Sequence, residues 1–278
     1  MPEDRVQDHY ASAGSGGAIA ARIIAALRAH AGADVAITPE TLAPLDHFHG
    51  RGVLATQALI ALLAPLAGEA ILDIGSGIGG PARWIAAKYG CSVTGVDLTA
   101  AFCDAARDLN TASGMADRVR ILEGSALALP LPDASFDRAY SHNVVMNIAD
   151  KAGVYREAFR VLKPGGRLVL SHVNAGPNGP PEFPVPWAAV PENSFLATDE
   201  ETHRDLVAAG FEILTFLDTT PAAAQVRAGR RKLAAEGLPL LGVHVFVGEH
   251  FLGLQINSMR ALEDGRVRSV EVVAGKPI

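Results

Sequence analysis

Ala70-Ile-Leu-Asp-Ile-Gly-Ser-Gly-Ile-Gly-Gly80 is the stretch that decides the fold. A short buried-type strand runs into a turn with glycines at 75, 77, 79 and 80, and a helical pattern resumes over Pro81–Lys88. Glycines in such a turn let the backbone bend sharply and let a ligand lie directly on it. Working outward, β-rich runs at Ser92–Asp97, Val119–Gly124, Phe136–Ser141 and Arg167–Val173 alternate with helical runs at Ala100–Ser113 and Lys151–Leu162. This alternation predicts parallel strands joined by right-handed crossovers, hence a doubly wound, mostly parallel α/β sheet of Rossmann-like type.

The flanks read differently. Ala18–Ala29 is an alanine-rich amphipathic run, Asp34–His49 reads as irregular with Pro39 and Pro44, and Val53–Leu66 reads as a second helix. Residues 1–66 are therefore expected to form an N-terminal helical cap, and 67–278 the main domain. Asn174–Pro191 is rich in Pro and Gly and reads as a surface insertion; the segment 174–197 is expected to cover the substrate. Thr198-Asp-Glu-Glu201 is a capping box that opens a helix ending near Gly210. A strand at Phe211–Phe216 follows, then helical stretches before Gly237 and near Gly248–Leu262, and a last strand at Arg266–Val273.

Composition narrows the function classes. The chain has 278 residues, 49% hydrophobic and 19% charged, so it can bury a sizeable core. Its 24 basic and 30 acidic residues leave a net charge of −6, which argues against a broad electrostatic hold on nucleic acid or an anionic membrane. The greasiest stretch, Gly52–Leu72, is interrupted by Thr56, Gln57, Pro65 and Glu69 and is no membrane helix. Met1-Pro2-Glu3-Asp4 offers no basic, then apolar, leader pattern, so the expected location is cytoplasmic. Two cysteines, Cys91 and Cys103, make no disulfide framework and read as inert thiols. His47 and His49 lack a third partner at ligand spacing, so no metal is expected.

Gly75-x-Gly77-x-x-Gly80 formally satisfies a dinucleotide fingerprint, and Asp97 ends the next strand where a carboxylate accepts hydrogen bonds from ribose hydroxyls. Asp73, two residues before the first glycine, separates the possibilities. A carboxylate sits poorly beside a pyrophosphate and well beside an ammonium and a sulfonium, which favours S-adenosylmethionine over NAD.

With these residues, and with Phe136-Asp137 and Leu162-Lys-Pro-Gly-Gly-Arg-Leu168, the chain resembles the class I S-adenosylmethionine-dependent methyltransferases. Asp46-His-Phe-His49, Gly79-Gly-Pro-Ala-Arg83, Val144-Val-Met-Asn-Ile148 and Phe183-Pro-Val-Pro-Trp187 are similar to the sarcosine/dimethylglycine N-methyltransferase-like branch. The resemblance implies a seven-stranded sheet. It also implies that Asp73, Gly75, Ser76 and Gly77 cradle the methionine part, Asp97 and Leu98 hold the ribose, and Ser125 and Ala126 edge the adenine. His142, beside the transferring methyl, is the catalytic candidate and also touches the cofactor. Asn143, Asn147, His49, Trp187 and His244 are the substrate candidates.

The expected reaction is in-line methyl transfer to a small-molecule acceptor, N-methylation of a small amine following from the branch resemblance. O- or C-methylation of a hydrophobic metabolite is the alternative, because Val145 stands where the branch often has Gln. A non-catalytic S-adenosylmethionine-binding protein and an NAD-dependent oxidoreductase complete the possibilities, with a monomer or homodimer expected.

Overall fold

In a computed structural model that describes residues 15–47, 52–224, 241–248 and 251–278, the strands form one seven-stranded sheet of order β3-β2-β1-β4-β5-β7-β6. The strands are β1 (Ala70–Ile74), β2 (Ser92–Asp97), β3 (Val119–Glu123), β4 (Phe136–His142), β5 (Leu162–Ala175), β6 (Glu212–Asp218) and β7 (Val267–Gly275). All neighbours pair in parallel except β7, which runs antiparallel to both β5 and β6. The order reverses between β2 and β4 around β1, and ligands of open α/β sheets bind at the carboxyl ends of strands at such a switch point.

The helices are α1 (Gly16–Ala31), α2 (Pro39–Asp46), α3 (Val53–Leu63), α4 (Gly80–Tyr89), α5 (Ala100–Ala112), α6 (Lys151–Val161), α7 (Asp199–Ala208), α8 (His244–Val247) and α9 (Phe251–Glu263). On one face of the sheet Ile71, Val93, Tyr140, Val169 and Val273 pack under α3, α4 and α5 through Leu59, Ile85 and Cys103. On the other, Leu72, Ala139, Leu168 and Val272 pack under α6 and α7 through Val154, Tyr155 and Leu206. The alternation along each strand is the period of two that a two-sided core demands. Asp137 ties the strand starts together: its carboxylate accepts the Ala70 amide at 2.9 Å and pairs with Lys163 at 2.6 Å.

The amphipathic stripe of α1 lies on α5, where Ile19, Ile23 and Leu27 meet Phe102, Ala105 and Leu109. Each such buried aliphatic side chain contributes about 1.5–3 kcal/mol. Val243 and Val245, around α8, pack against the same cluster.

Three expectations are corrected. Asp34–His49 is not irregular throughout, because Pro39–Asp46 is helical. Pro39 sits in the first turn, where no amide is needed, and Thr38 and Thr41 cap each other reciprocally. The 174–191 stretch is not wholly surface, because Val185, Trp187 and Ala188 are buried with Val173, Ala261, Leu262 and Val267. An apolar cluster too short to show a period hides inside its proline-rich surroundings. The fifth strand begins at Leu162 rather than Arg167, since Leu162 pairs with Phe136 ahead of the register shift that precedes the Arg138–Arg167 pair. The expected helix before Gly237 lies outside the described residues.

Candidate functional site

The four glycines of the turn have four different neighbours. A Cβ on Gly75 would stand 2.3 Å from Val144 Cγ2, so this glycine admits the turn after β4 rather than a ligand. A Cβ on Gly79 would press on the Arg83 guanidinium at 3.0 Å, and one on Gly80 on the Asp46 carbonyl at 2.3 Å. Of these four, only Gly77, at φ +52°, would point a side chain where no atom of the described residues lies within 4 Å. Gly77 is thus the position in the turn against which a ligand can lie, in the left-handed conformation that glycine adopts without penalty.

Four amides of the turn are already paired within the protein. Gly75 and Ser76 both donate to the Val96 carbonyl, at 2.8 and 3.1 Å, Gly79 donates to Ser76 O at 2.9 Å, and Gly77 donates to Asp97 Oδ2 at 2.7 Å. A pyrophosphate needs such amides for itself, and a carboxylate beside them opposes it electrostatically. The geometry therefore disfavours a dinucleotide and fits a ligand whose charge near the turn is positive. Ser76 Oγ is buried with no hydrogen-bond partner among the described residues, an orphan that a bound polar ligand would satisfy.

Two carboxylates stand at the ends of β1 and β2, on either side of the turn in the chain. Asp73 is 2% exposed and accepts the Tyr140 hydroxyl at 2.7 Å. Burial, opposed by that hydrogen bond and assisted by the charge of Asp97, pushes Asp73 up to about 7. Asp97 is half-buried, accepts the Thr99 amide at 2.9 Å as well as that of Gly77, and is also raised by burial. Gly124 donates to the Asp97 carbonyl at 2.9 Å, which brings Ser125 and Ala126 beside Asp97 and Leu98. Ser125 Oγ accepts the Leu127 amide at 3.0 Å and shapes that turn.

On the other side of the turn, His142 is the last residue of β4 and 8% exposed. Asn143 takes φ +58° and donates its amide to the Ser171 carbonyl at 2.8 Å. Asparagine tolerates that left-handed conformation, so its identity has a backbone reason independent of any substrate. Asn147 ends a 3₁₀ turn and gives its Nδ2 to the Trp187 carbonyl at 2.5 Å, fastening the 174–197 segment to the end of β4. Trp187, a substrate candidate, is packed in the core of that segment with its Nε1 on Ser194 Oγ at 3.0 Å. His244 begins the short α8, away from β4 in the chain and against the α1 side. His49 lies outside the described residues, as do His250 and a run of basic side chains, Arg227, Arg230, Arg231 and Lys232.

Sequence reasoning missed two neighbours of His142. Register places His142 beside Ser171, and Ser171 beside Glu271 of β7, on the face that carries Asp73 and Tyr140. All three are buried, forming a polar row across three strands. The signal was a lone Glu within Val270–Val273, since a carboxylate in an apolar strand needs a reason to be there. Also missed was Arg83, fully buried and paired with Asp46 at 2.9 Å behind the turn. Cys91 and Cys103 are buried free thiols, and burial pushes Cys103 up to about 12. Among the described residues no group of three His, Cys, Asp or Glu could hold a metal, and no helix is long and apolar enough to cross a membrane.

Residues 72–170 match the family described as "Methyltransferase domain". The methyltransferase GfsG of Streptomyces halstedii is 36% identical over 135 residues, which cover 49% of this chain and 48% of that protein. The O-methyltransferase resE of Aspergillus sclerotiorum is 30% identical over 164 residues, 59% of this chain and 62% of that protein. The chain thus spans about half the length of the first of these relatives. Among solved structures, the geranyl diphosphate C-methyltransferase of Streptomyces coelicolor A3(2) superposes with a TM-score of 0.65 at 21% identity, covering 81% of this chain and 78% of that one. Residues 72–170 are thus similar to a methyltransferase domain, and the chain shares its seven-stranded Rossmann-like fold with the geranyl diphosphate C-methyltransferase.

Proposed function

We propose that the protein is an S-adenosylmethionine-dependent methyltransferase acting on a small-molecule acceptor. The observation that carries the reading is the buried carboxylate of Asp73 at the end of β1 together with Asp97, which holds the Gly77 amide in a turn whose amides at 75, 76 and 79 also bond within the protein. When bound, the cofactor supplies a methyl group on a sulfonium, ready for in-line displacement. Asp73 would hold the ammonium, Asp97 would accept from the ribose hydroxyls, and Ser125 and Ala126 would edge the adenine. The residues that follow β4 would then meet the acceptor. Alignment in a water-poor site is the main catalytic task and can supply about 7–11 kcal/mol. His142, buried beside Ser171 and Glu271, would take the acceptor's proton at a ring nitrogen.

A buried histidine is of most use to an oxygen or carbon acceptor, which loses a proton less readily than an amine. The names of the resE and geranyl diphosphate relatives point the same way. Oxygen or carbon methylation of a hydrophobic metabolite is therefore the preferred reading. N-methylation of a small amine is the second, supported by the Val144–Ile148 and Asp46–His49 resemblance. The protein is expected to work as a monomer or homodimer in the cytoplasm, with residues 1–66 covering the site and 174–197 closing it. Incubation with methyl-labelled S-adenosylmethionine and a panel of phenols, isoprenoids and amines tests the proposal. Label should pass to a phenol or isoprenoid; transfer to amines alone would replace the preferred reading by the second, and no transfer to any class would contradict both.

A further inference from the structure

Behind the glycine turn one guanidinium joins three segments. Arg83, in α4, is fully buried; its Nη2 donates to Asp46 Oδ2 at 2.9 Å and to the Ile78 carbonyl at 2.7 Å. Its Nη1 donates to Asn110 Oδ1 of α5 at 2.8 Å. Asp46 is the last residue of α2 and 2% exposed, and its carbonyl sits where a side chain on Gly80 would have to go. Its neighbour His47 meets Trp84 edge-on at 5.7 Å and places Nδ1 2.7 Å from Thr56 Oγ1 of α3. The end of α2, the start of α3, the middle of the turn and α5 therefore share one buried polar cluster.

A buried guanidinium stripped of its carboxylate is costly, because desolvation is then uncompensated. Withdrawing α2 would leave Arg83 in that condition. Reshaping the turn around Ile78 would also take away an acceptor. The seating of α2 and the shape of residues 77–80 are accordingly one equilibrium rather than two.

We propose that Asp46 and Arg83 are positioning residues of the cofactor site, whose ion pair couples docking of the N-terminal helices to the ligand-holding shape of the glycine turn. The proposal rests on the cofactor reading above. Coupling is reciprocal, so a ligand on Gly77 tightens α2 and an undocked α2 weakens the ligand. Neither residue touches the reacting atoms; both act through the carbonyl of Ile78 and the backbone of Gly80.

The probe is S-adenosylhomocysteine, followed by calorimetry and by hydrogen exchange of residues 39–46. In the wild type the ligand slows exchange across 39–46. In Asp46→Asn, with a native circular dichroism spectrum, the dissociation constant rises about tenfold and the ligand no longer slows exchange there. A merely structural ion pair would lower the melting temperature of Asp46→Asn but leave the affinity and the protection of the folded protein unchanged; that result overturns the coupling. Should Asp46→Asn not fold, wild-type exchange decides alone: no ligand-induced slowing at 39–46 overturns the proposal, and slowing there supports it. A wild-type protein that binds no S-adenosylhomocysteine in the calorimeter contradicts the cofactor reading itself, and the coupling with it.

Discussion

Near neutral pH the Asp73 side chain sits close to its own midpoint, because burial holds it up to about 7. A cationic amine seated beside it favours the ionised form and draws that value down. Ligand binding at about pH 6 must then expel a proton, whereas at about pH 8 the carboxylate is already charged. S-adenosylhomocysteine affinity should therefore rise by up to about tenfold between these limits. Titrations in buffers of differing ionisation enthalpy would report the released proton. Asp73→Asn should bind more weakly and with a flat pH profile over this range. An equally steep profile in that variant would place the titrating group elsewhere.

At the scale of elements, the proposed function puts the acceptor at the end of β4. His142, Ser171 and Glu271 line up across three strands through backbone register alone, so their alignment survives changes in any one side chain. His142→Ala should lower turnover at least about a hundredfold and leave S-adenosylhomocysteine affinity within about twofold. Equal losses in both would make His142 part of cofactor binding instead. The strands and α4–α7 were legible because their periods and caps are local: β1 at Ala70–Ile74 and the Thr198 capping box stand where the sequence puts them. The role of each glycine was not legible, since Val144 and Asp46, which decide it, are distant in the chain. For the same reason the burial of Trp187 was not legible. Its loop shows no period, and its burial comes from Val173 and α9.

At the scale of the molecule, stability has an acid limb that the proposed chemistry does not need. His172 lies in β5, 3% exposed, on the face opposite Ser171. Burial, then the charge of Lys151, holds it down to about 4, while contact with Asn174 opposes them. Lys151 itself donates to the carbonyls of Ile148 and Phe195. A histidine depressed in the folded state contributes stability that is complete above its unfolded value of about 6.5 and is lost as the pH falls toward about 4, on the order of 3 kcal/mol in all. Urea midpoints measured across that window should fall steeply in the wild type and less so in His172→Gln. Parallel curves would assign the acid limb to other groups.

The central claim, that the glycine turn with Asp73 and Asp97 holds an adenosyl ligand and not a dinucleotide, is tested most directly by calorimetric titration of the purified chain with S-adenosylhomocysteine and with NAD. Saturable micromolar binding of the first, weakened by about 1.5–3 kcal/mol in Asp97→Ala, and no measurable binding of NAD is the predicted result. NAD binding as tight as or tighter than that of S-adenosylhomocysteine would contradict the account.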